Sequence, residues 1–233
     1  SSRRCWQAWT MTPGSLVLLR SPLTTAAAWG ALPERLRAAG VDVAVPEISD
    51  DDRAPYAGRY VARAALEVTE YGPAQPLVLV AHSGAGPLLP ALGAAQRAAH
   101  RRIGGYVFCD AGLPAPGETT RLERFRAELP EEAGRLERLL DGGGRFPDYR
   151  PPAGLEGALR PRGKDFFTER LPAPQDWPDA PCGYLRTSPA YAGQARQARL
   201  RGWPVVERES GHFAAFTATE DTAAAILELV AAL

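Results

Sequence analysis

Asparagine is absent from the 233 residues, lysine occurs once, at Lys164, and methionine once, at Met11. Basic charge is carried almost wholly by arginine. With so much alanine, proline and glycine, the composition follows the codon bias of a GC-rich genome and says little about function. Cysteine is scarce too: Cys5, Cys109 and Cys182 have neither zinc-type spacing nor the even count of a disulfide framework. They read as small buried residues in a reducing cytoplasm. His82, His100 and His212 are too few and too scattered for a metal site, so no metal or other cofactor is expected. Net charge is missing as well, since 27 basic residues offset 27 acidic ones. That removes the basic groove of a nucleic-acid binder and the charged face of a membrane-surface protein. No apolar run approaches the ~20 residues of a membrane span. The stretch "SSRRCWQAWTMTPG" lacks the apolar core of a signal peptide, which leads to the expectation of a cytoplasmic location. Residues 1–10, ahead of Met11, read as an N-terminal extension, native or appended.

What is present is a rhythm. Apolar runs of four to seven residues alternate with helical patterns, the signature of βαβ units on a parallel sheet. Strands are expected over 15–20, 41–48, 76–81, 103–109, 182–187 and 203–209. Helices are expected over 25–40, 55–72 and 219–233, the first two closed by glycine. The run "PLVLVA" is aliphatic throughout, which suits a strand covered on both faces.

One gap interrupts the rhythm. About seventy residues separate the fourth strand from the fifth, far beyond an ordinary loop of roughly 2–6 residues. Charged helical patterns and aromatic, proline-rich stretches fill it. The division that follows is a core of 11–111 and 181–233, with a helical lid inserted over 112–180. Phe166, Phe167 and Trp177 are the candidates in it for lining a pocket. Its arginines, with Arg101 and Arg102, are candidates for meeting an acidic acyl carrier protein, although a solvated helix face is the plainer explanation. Asp50, Asp51 and Asp52 read as a solvated loop.

The segment "LVLVAHSGAGPLLPAL" poses the functional question. A serine that attacks a carbonyl must stand on a sharp strand-to-helix turn, and the crowded backbone there demands small neighbours. The pattern is small-x-Ser-x-small, here Ala81-His82-Ser83-Gly84-Ala85, with Gly86 following. The Gly84 N–H opens a helix, where donors are unpaired and the dipole favours developing negative charge. Pro87 falls in the first helical turn, and Pro90 is expected to kink the helix.

A serine hydroxyl needs a base, and the base needs an orienting acid. "ESGHFAAF" puts His212 in a loop between the last strand and the last helix. His100, at a helix end, reads as a C-terminal cap, and His82 as a neighbour of the turn. No carboxylate follows the fifth strand in "RTSPAYAGQ", whereas Asp110 directly follows the fourth in "YVFCDAGLP". Asp110 is therefore the candidate acid, with a turn or cap residue as the alternative. Asp176 and Asp179 precede the fifth strand and belong at its other end.

From Ser15 to Leu233 the chain resembles the α/β-hydrolase fold superfamily. The residues that carry the resemblance are "SLVLLRSPLTTAAAW", "VLVAHSGAG", "VFCDAGLP" and "GHF". It is most similar to small actinobacterial-type members that accompany natural-product pathways. Among these are thiopeptide-pathway enzymes that move an aromatic acyl group from a carrier protein to a cysteine thiol. The resemblance implies a compact, six-stranded, mainly parallel sheet and a Ser-His-Asp triad. It also implies an oxyanion hole that often draws its second donor from x of a His-Gly-x sequence, seven residues before a Trp. Counted back from Trp29, His-Gly becomes Arg20-Ser21 and x becomes Pro22, which has no N–H. Leu23 N–H is then the expected second donor beside Gly84.

The combined expectation is acyl transfer from an ester or thioester of a small molecule through Ser83, His212 and Asp110, ending in hydrolysis or in transfer to a second nucleophile. The rivals are an eliminase or lyase using the Ser-His pair as acid and base, and a catalytically silent binding protein on the same fold.

Overall fold

The computed structural model describes residues 14–233; Cys5 and the extension assigned to 1–10 lie outside them. Six strands are β1 (Ser15–Leu19), β2 (Asp42–Ala44), β3 (Leu77–His82), β4 (Ile103–Cys109), β5 (Cys182–Arg186) and β6 (Val205–Glu207). They form one sheet in the order β2-β1-β3-β4-β5-β6, and each neighbouring pair is parallel. The order reverses at β1, as in a doubly wound sheet, and the site lies beyond the carboxyl ends of the strands.

Period-two alternation divides the aliphatic strands between two cores. Leu19, Leu79, Phe108 and Tyr184 point to one face, under α2 (Tyr56–Tyr71), α3 (Leu89–Ala98) and α7 (Ala192–Leu200). Leu18, Val80, Val107 and Leu185 point to the other, under α1 (Leu32–Ala38), the short α8 (Ala214–Thr217) and α9 (Thr219–Ala232). Burial on both sides explains why β3 has no polar alternation.

Three expectations about the elements need correction. The helix expected over 25–40 is split into a 3₁₀ turn at Ala26–Trp29 and α1. Gly30 breaks it: its φ is 55°, and a Cβ there would lie 2.9 Å from the Phe216 Cα. The helix after Ser83 begins as a 3₁₀ turn, Ser83–Leu88, and becomes α-helical only at Leu89. Rather than a helix interior, Pro90 thus occupies the first turn of α3, where its missing N–H has no intrahelical acceptor to lose. Asp51 is not solvated. It is 1% exposed and pairs with Arg20 at 3.1 Å, Arg160 at 2.8 Å and Arg162 at 3.1 Å.

The segment inserted in chain order between β4 and β5 contains α4 (Arg121–Glu128), α5 (Pro130–Asp141) and the short α6 (Lys164–Thr168). A capping box starts α4: the Thr120 side chain accepts from Glu123 N–H, and Glu123 accepts from Thr120 N–H. Leu136, Leu140, Phe166 and Phe167 form their own apolar cluster, joined to the core through Tyr56. The arginines around Asp51 are the polar tie. Arg160 and Arg162 reach it from the inserted segment and Arg20 from the end of β1.

Candidate active site

Ser83 sits where β3 ends, with a φ of 53°. A left-handed conformation is costly for a residue with a Cβ, and it persists only where the surroundings enforce it. The turn is crowded: a Cβ on Gly86 would lie 2.0 Å from the Gly112 carbonyl oxygen. Gly112 N–H in turn donates to the Ser83 carbonyl at 3.2 Å. The β3 turn and the loop after β4 therefore brace each other, which explains the need for small residues after the serine.

Three side chains meet here in a continuous hydrogen-bonded line. His212 Nε2 is 3.0 Å from Ser83 Oγ, and His212 Nδ1 is 2.7 Å from Asp110 Oδ2. A carboxylate only accepts, so Nδ1 carries the proton and Nε2 is bare toward the serine hydroxyl. Asp110, 1% exposed, is saturated with donors. Thr187 N–H at 2.7 Å and Ser188 N–H at 3.1 Å donate to Oδ1, and the Ser188 hydroxyl donates to Oδ2. Burial alone would raise its pKa, but the His212 contact, the Ser188 hydroxyl and the Thr187 amide together hold it below the ordinary carboxylate range. Asp179 is elsewhere, paired with Arg97 at 2.8 Å and accepting from the Tyr106 hydroxyl at 2.7 Å.

The imidazole is held from two further sides. His82 Nε2–H donates to the His212 carbonyl at 2.8 Å. Burial first, and then the neighbouring His212, keeps the His82 pKa well below the usual imidazole range, so His82 is a neutral donor. The Tyr191 ring lies parallel to His212, with centroids 5.1 Å apart and planes within 4°. Sequence reasoning missed Tyr191 and Ser188. Both belong to the "RTSPAYAGQ" stretch, which holds no carboxylate, and nothing local marks either residue. His100 ends the helix region before β4, with a φ of 60° and its N–H donating to the Arg97 carbonyl at 2.9 Å.

Ser83, Gly84 and His212 open into a cavity of about 530 Å³. Its far walls come from the inserted segment, including Phe125, Leu129, Leu136, Phe146, Phe166 and Phe167. Trp177 is not among its lining residues. It packs against Tyr106, Phe108 and Trp203 and borders a separate proline-lined groove. The charged residues of the cavity wall are mostly paired: Arg121 with Glu169, Arg124 with Glu128 and Arg135 with Asp148. Burial raises the Glu128 pKa even though Arg124 opposes it.

The expected oxyanion donors fare differently. Gly84 lines the cavity beside Ser83. Leu23 N–H, expected as the second donor, is instead directed at the Ser21 hydroxyl, 3.1 Å away. Pro22, which supplies no N–H, gives its carbonyl to Arg162, with Nε at 3.1 Å and Nη2 at 2.9 Å. Among the described residues, no cluster of three or more His, Cys, Asp or Glu is arranged to hold a metal ion. No described helix is long and apolar enough to cross a membrane.

No curated protein sequence is a significant match to the chain. Solved structures share its fold at low identity. An extracellular α/β-hydrolase from a Paenibacillus species, described as sharing structural and functional homology with tobacco salicylic acid binding protein 2, superposes with a TM-score of 0.74 at 19% identity. The superposition covers 93% of this chain and 99% of that one. Polyneuridine aldehyde esterase gives a TM-score of 0.63 at 17% identity, covering 93% of this chain and 98% of that one. A pyrethroid hydrolase from Sphingobium faniae gives 0.62 at 18% identity, covering 93% and 96%. A family model described as the alpha/beta hydrolase family matches residues 4–225, and the chain, with its six-stranded parallel sheet flanked by helices, belongs to that family.

Proposed function

We propose that the protein is a serine esterase that works through a covalent acyl-enzyme on a small-molecule ester or thioester. The observation that carries this reading is the line Ser83–His212–Asp110, with contacts of 3.0 and 2.7 Å, at the floor of an apolar cavity. His212 Nε2 removes the hydroxyl proton as Ser83 Oγ attacks the carbonyl carbon. Asp110 holds the imidazole in the right tautomer and stabilises its charged form. Gly84 N–H donates to the developing oxyanion. The proton then passes to the leaving group, and water, activated by the same histidine, releases the acid. Transfer to a thiol acceptor needs only a different second nucleophile.

Among structures of the same fold, one is named an esterase and another a pyrethroid hydrolase, which favours ester cleavage over elimination. The intact hydrogen-bonded line argues against a silent binding protein. The aromatic and aliphatic walls suit a bulky apolar acyl or alkoxy group. The arginines of α4 and α5 largely form ion pairs, Arg126 with Glu137 among them. That leaves little unpaired charge to attract an acidic carrier protein, so we take a free small molecule as the acyl donor. The reading is tested with Ser83→Ala on a panel of p-nitrophenyl esters and acyl thioesters. Turnover should fall by a factor on the order of 10⁶ with the melting temperature unchanged. Activity within a few-fold of the parent protein would overturn it.

A further inference from the structure

The loop after β1 lies against the turn that bears Ser83. A Cβ built on Gly84 would lie 3.1 Å from Ser21 Oγ and 3.4 Å from Pro22 Cδ. Ser21, Pro22, Ser83, Gly84 and His212 all border one cavity. In proline, Cδ occupies the place of the amide hydrogen. The point from which another residue would direct an N–H at this spot is therefore filled by a methylene. The next amide along is also spent, because Leu23 N–H donates to Ser21 Oγ at 3.1 Å.

That last bond leaves something over. A hydroxyl has one proton and two lone pairs. Leu23 N–H uses a lone pair and fixes the rotamer, and among the described residues nothing is paired with the Ser21 proton. Ser21 is 1% exposed and its place is on the wall of the cavity, so a group bound there is within reach of that proton. The backbone around it is clamped: Arg20 Nη1 donates to the Ser21 carbonyl at 3.0 Å, and Arg162 holds the Pro22 carbonyl.

We propose that the Ser21 hydroxyl is the second oxyanion donor, acting with Gly84 N–H in place of the amide that Pro22 removes; this rests on the acyl-enzyme reading above. As Ser83 Oγ bonds to the carbonyl carbon, its proton moves to His212 Nε2 and the C=O π pair moves onto oxygen. That oxygen accepts from Gly84 N–H and Ser21 Oγ–H. When the pair returns, the bond to the leaving group breaks, and the leaving group takes the proton from His212. Leu23 N–H polarises the Ser21 O–H and makes it a better donor, and the clamped backbone keeps it preorganised.

The test compares Ser21→Ala, Ser21→Cys and Ser21→Ala/Pro22→Gly on p-nitrophenyl hexanoate, with Ser83 labelling by a fluorophosphonate and thermal melting alongside. Ser21→Ala should lower kcat by about 10²–10³-fold with KM nearly unchanged. Cysteine packs in the same space but is a weak donor, so Ser21→Cys should show a similar loss and serves as the readout if Ser21→Ala does not fold. The double variant regains a backbone N–H at position 22 and should recover kcat at least about tenfold over Ser21→Ala. A folded Ser21 variant with kcat within about threefold of the parent, while Ser83 still labels, overturns the proposal. A loss confined to KM overturns it too, since that marks displacement of the loop. A parent protein that neither turns over substrate nor labels at Ser83 overturns the acyl-enzyme reading and this proposal together.

Discussion

Replacing Asp110 with asparagine isolates the acid's electrostatic role from its structural one. The carboxylate has two unlike ends. Oδ1 accepts two backbone amides, Thr187 N–H at 2.7 Å and Ser188 N–H at 3.1 Å, and neither can rotate away. Asparagine must therefore keep its carbonyl oxygen there and turn its NH₂ toward His212 and Ser188. One amide hydrogen meets the Ser188 hydroxyl, which can rotate to accept it. The other meets His212 Nδ1, where the imidazole proton normally sits, 2.7 Å from the Asp110 oxygen. That proton must move to Nε2, and a protonated Nε2 cannot take the proton from Ser83. The analogous substitution in the serine-protease triad lowers kcat by about 10⁴ with the geometry intact. Four decades correspond to about 5.4 kcal/mol of transition-state stabilisation. The same loss is expected here, with little change in melting temperature, because all four donor–acceptor contacts are replaced and asparagine tolerates the left-handed φ of 44° at this position. Asp110→Ala, in contrast, strands buried donors and should melt earlier. The assay is kcat for p-nitrophenyl ester hydrolysis between pH 6 and 9, with melting curves on the same samples. An Asp110→Asn protein within about tenfold of the parent in kcat would refute this account of the acid.

Two further outcomes follow from the packing around the site. Asp51→Asn removes the one carboxylate among Arg20, Arg160 and Arg162, and leaving buried guanidinium groups without it should cost about 3–5 kcal/mol in denaturant unfolding at pH 7. Burial raises the Asp51 pKa, but the three arginines bring it below its ordinary value. Its stabilisation is thus complete above the unfolded value of about 3.9 and is lost as pH falls through the lower folded value, so the gap between parent and variant should narrow in acid; a gap that widens in acid would contradict the pairing. Leu129 lines the cavity on the inserted segment. Leu129→Trp should lower kcat/KM for bulky aryl esters by about tenfold or more while sparing acetate esters, and equal effects on both would remove the cavity from substrate selection.

The parts of the site that were legible in the sequence are those set by local crowding or by chain order. Ser83 is marked by the small residues that its turn requires, and His212 and Asp110 by their places after β6 and β4. The parts that were not legible depend on distant partners. Asp51 looks solvated within a run of three aspartates, and its three arginines lie 31 and about 110 positions away. Trp177 and Phe166 look alike in sequence, yet the tertiary course of the segment sends one against Tyr106 and Trp203 and the other into the cavity. The loss of an amide at Pro22 is visible in the sequence, but the backbone turn that aims Leu23 N–H at the Ser21 hydroxyl is not encoded by any residue pattern.

The central claim is that Ser83 is an activated nucleophile. It is tested most directly by intact-mass measurement after treatment with a fluorophosphonate, followed by peptide mapping, since only a serine with a working base reacts. The account predicts one adduct, on the peptide carrying Ser83, that is absent in Ser83→Ala and strongly slowed in His212→Ala. No adduct on a folded parent protein, or an adduct on another residue, would contradict it.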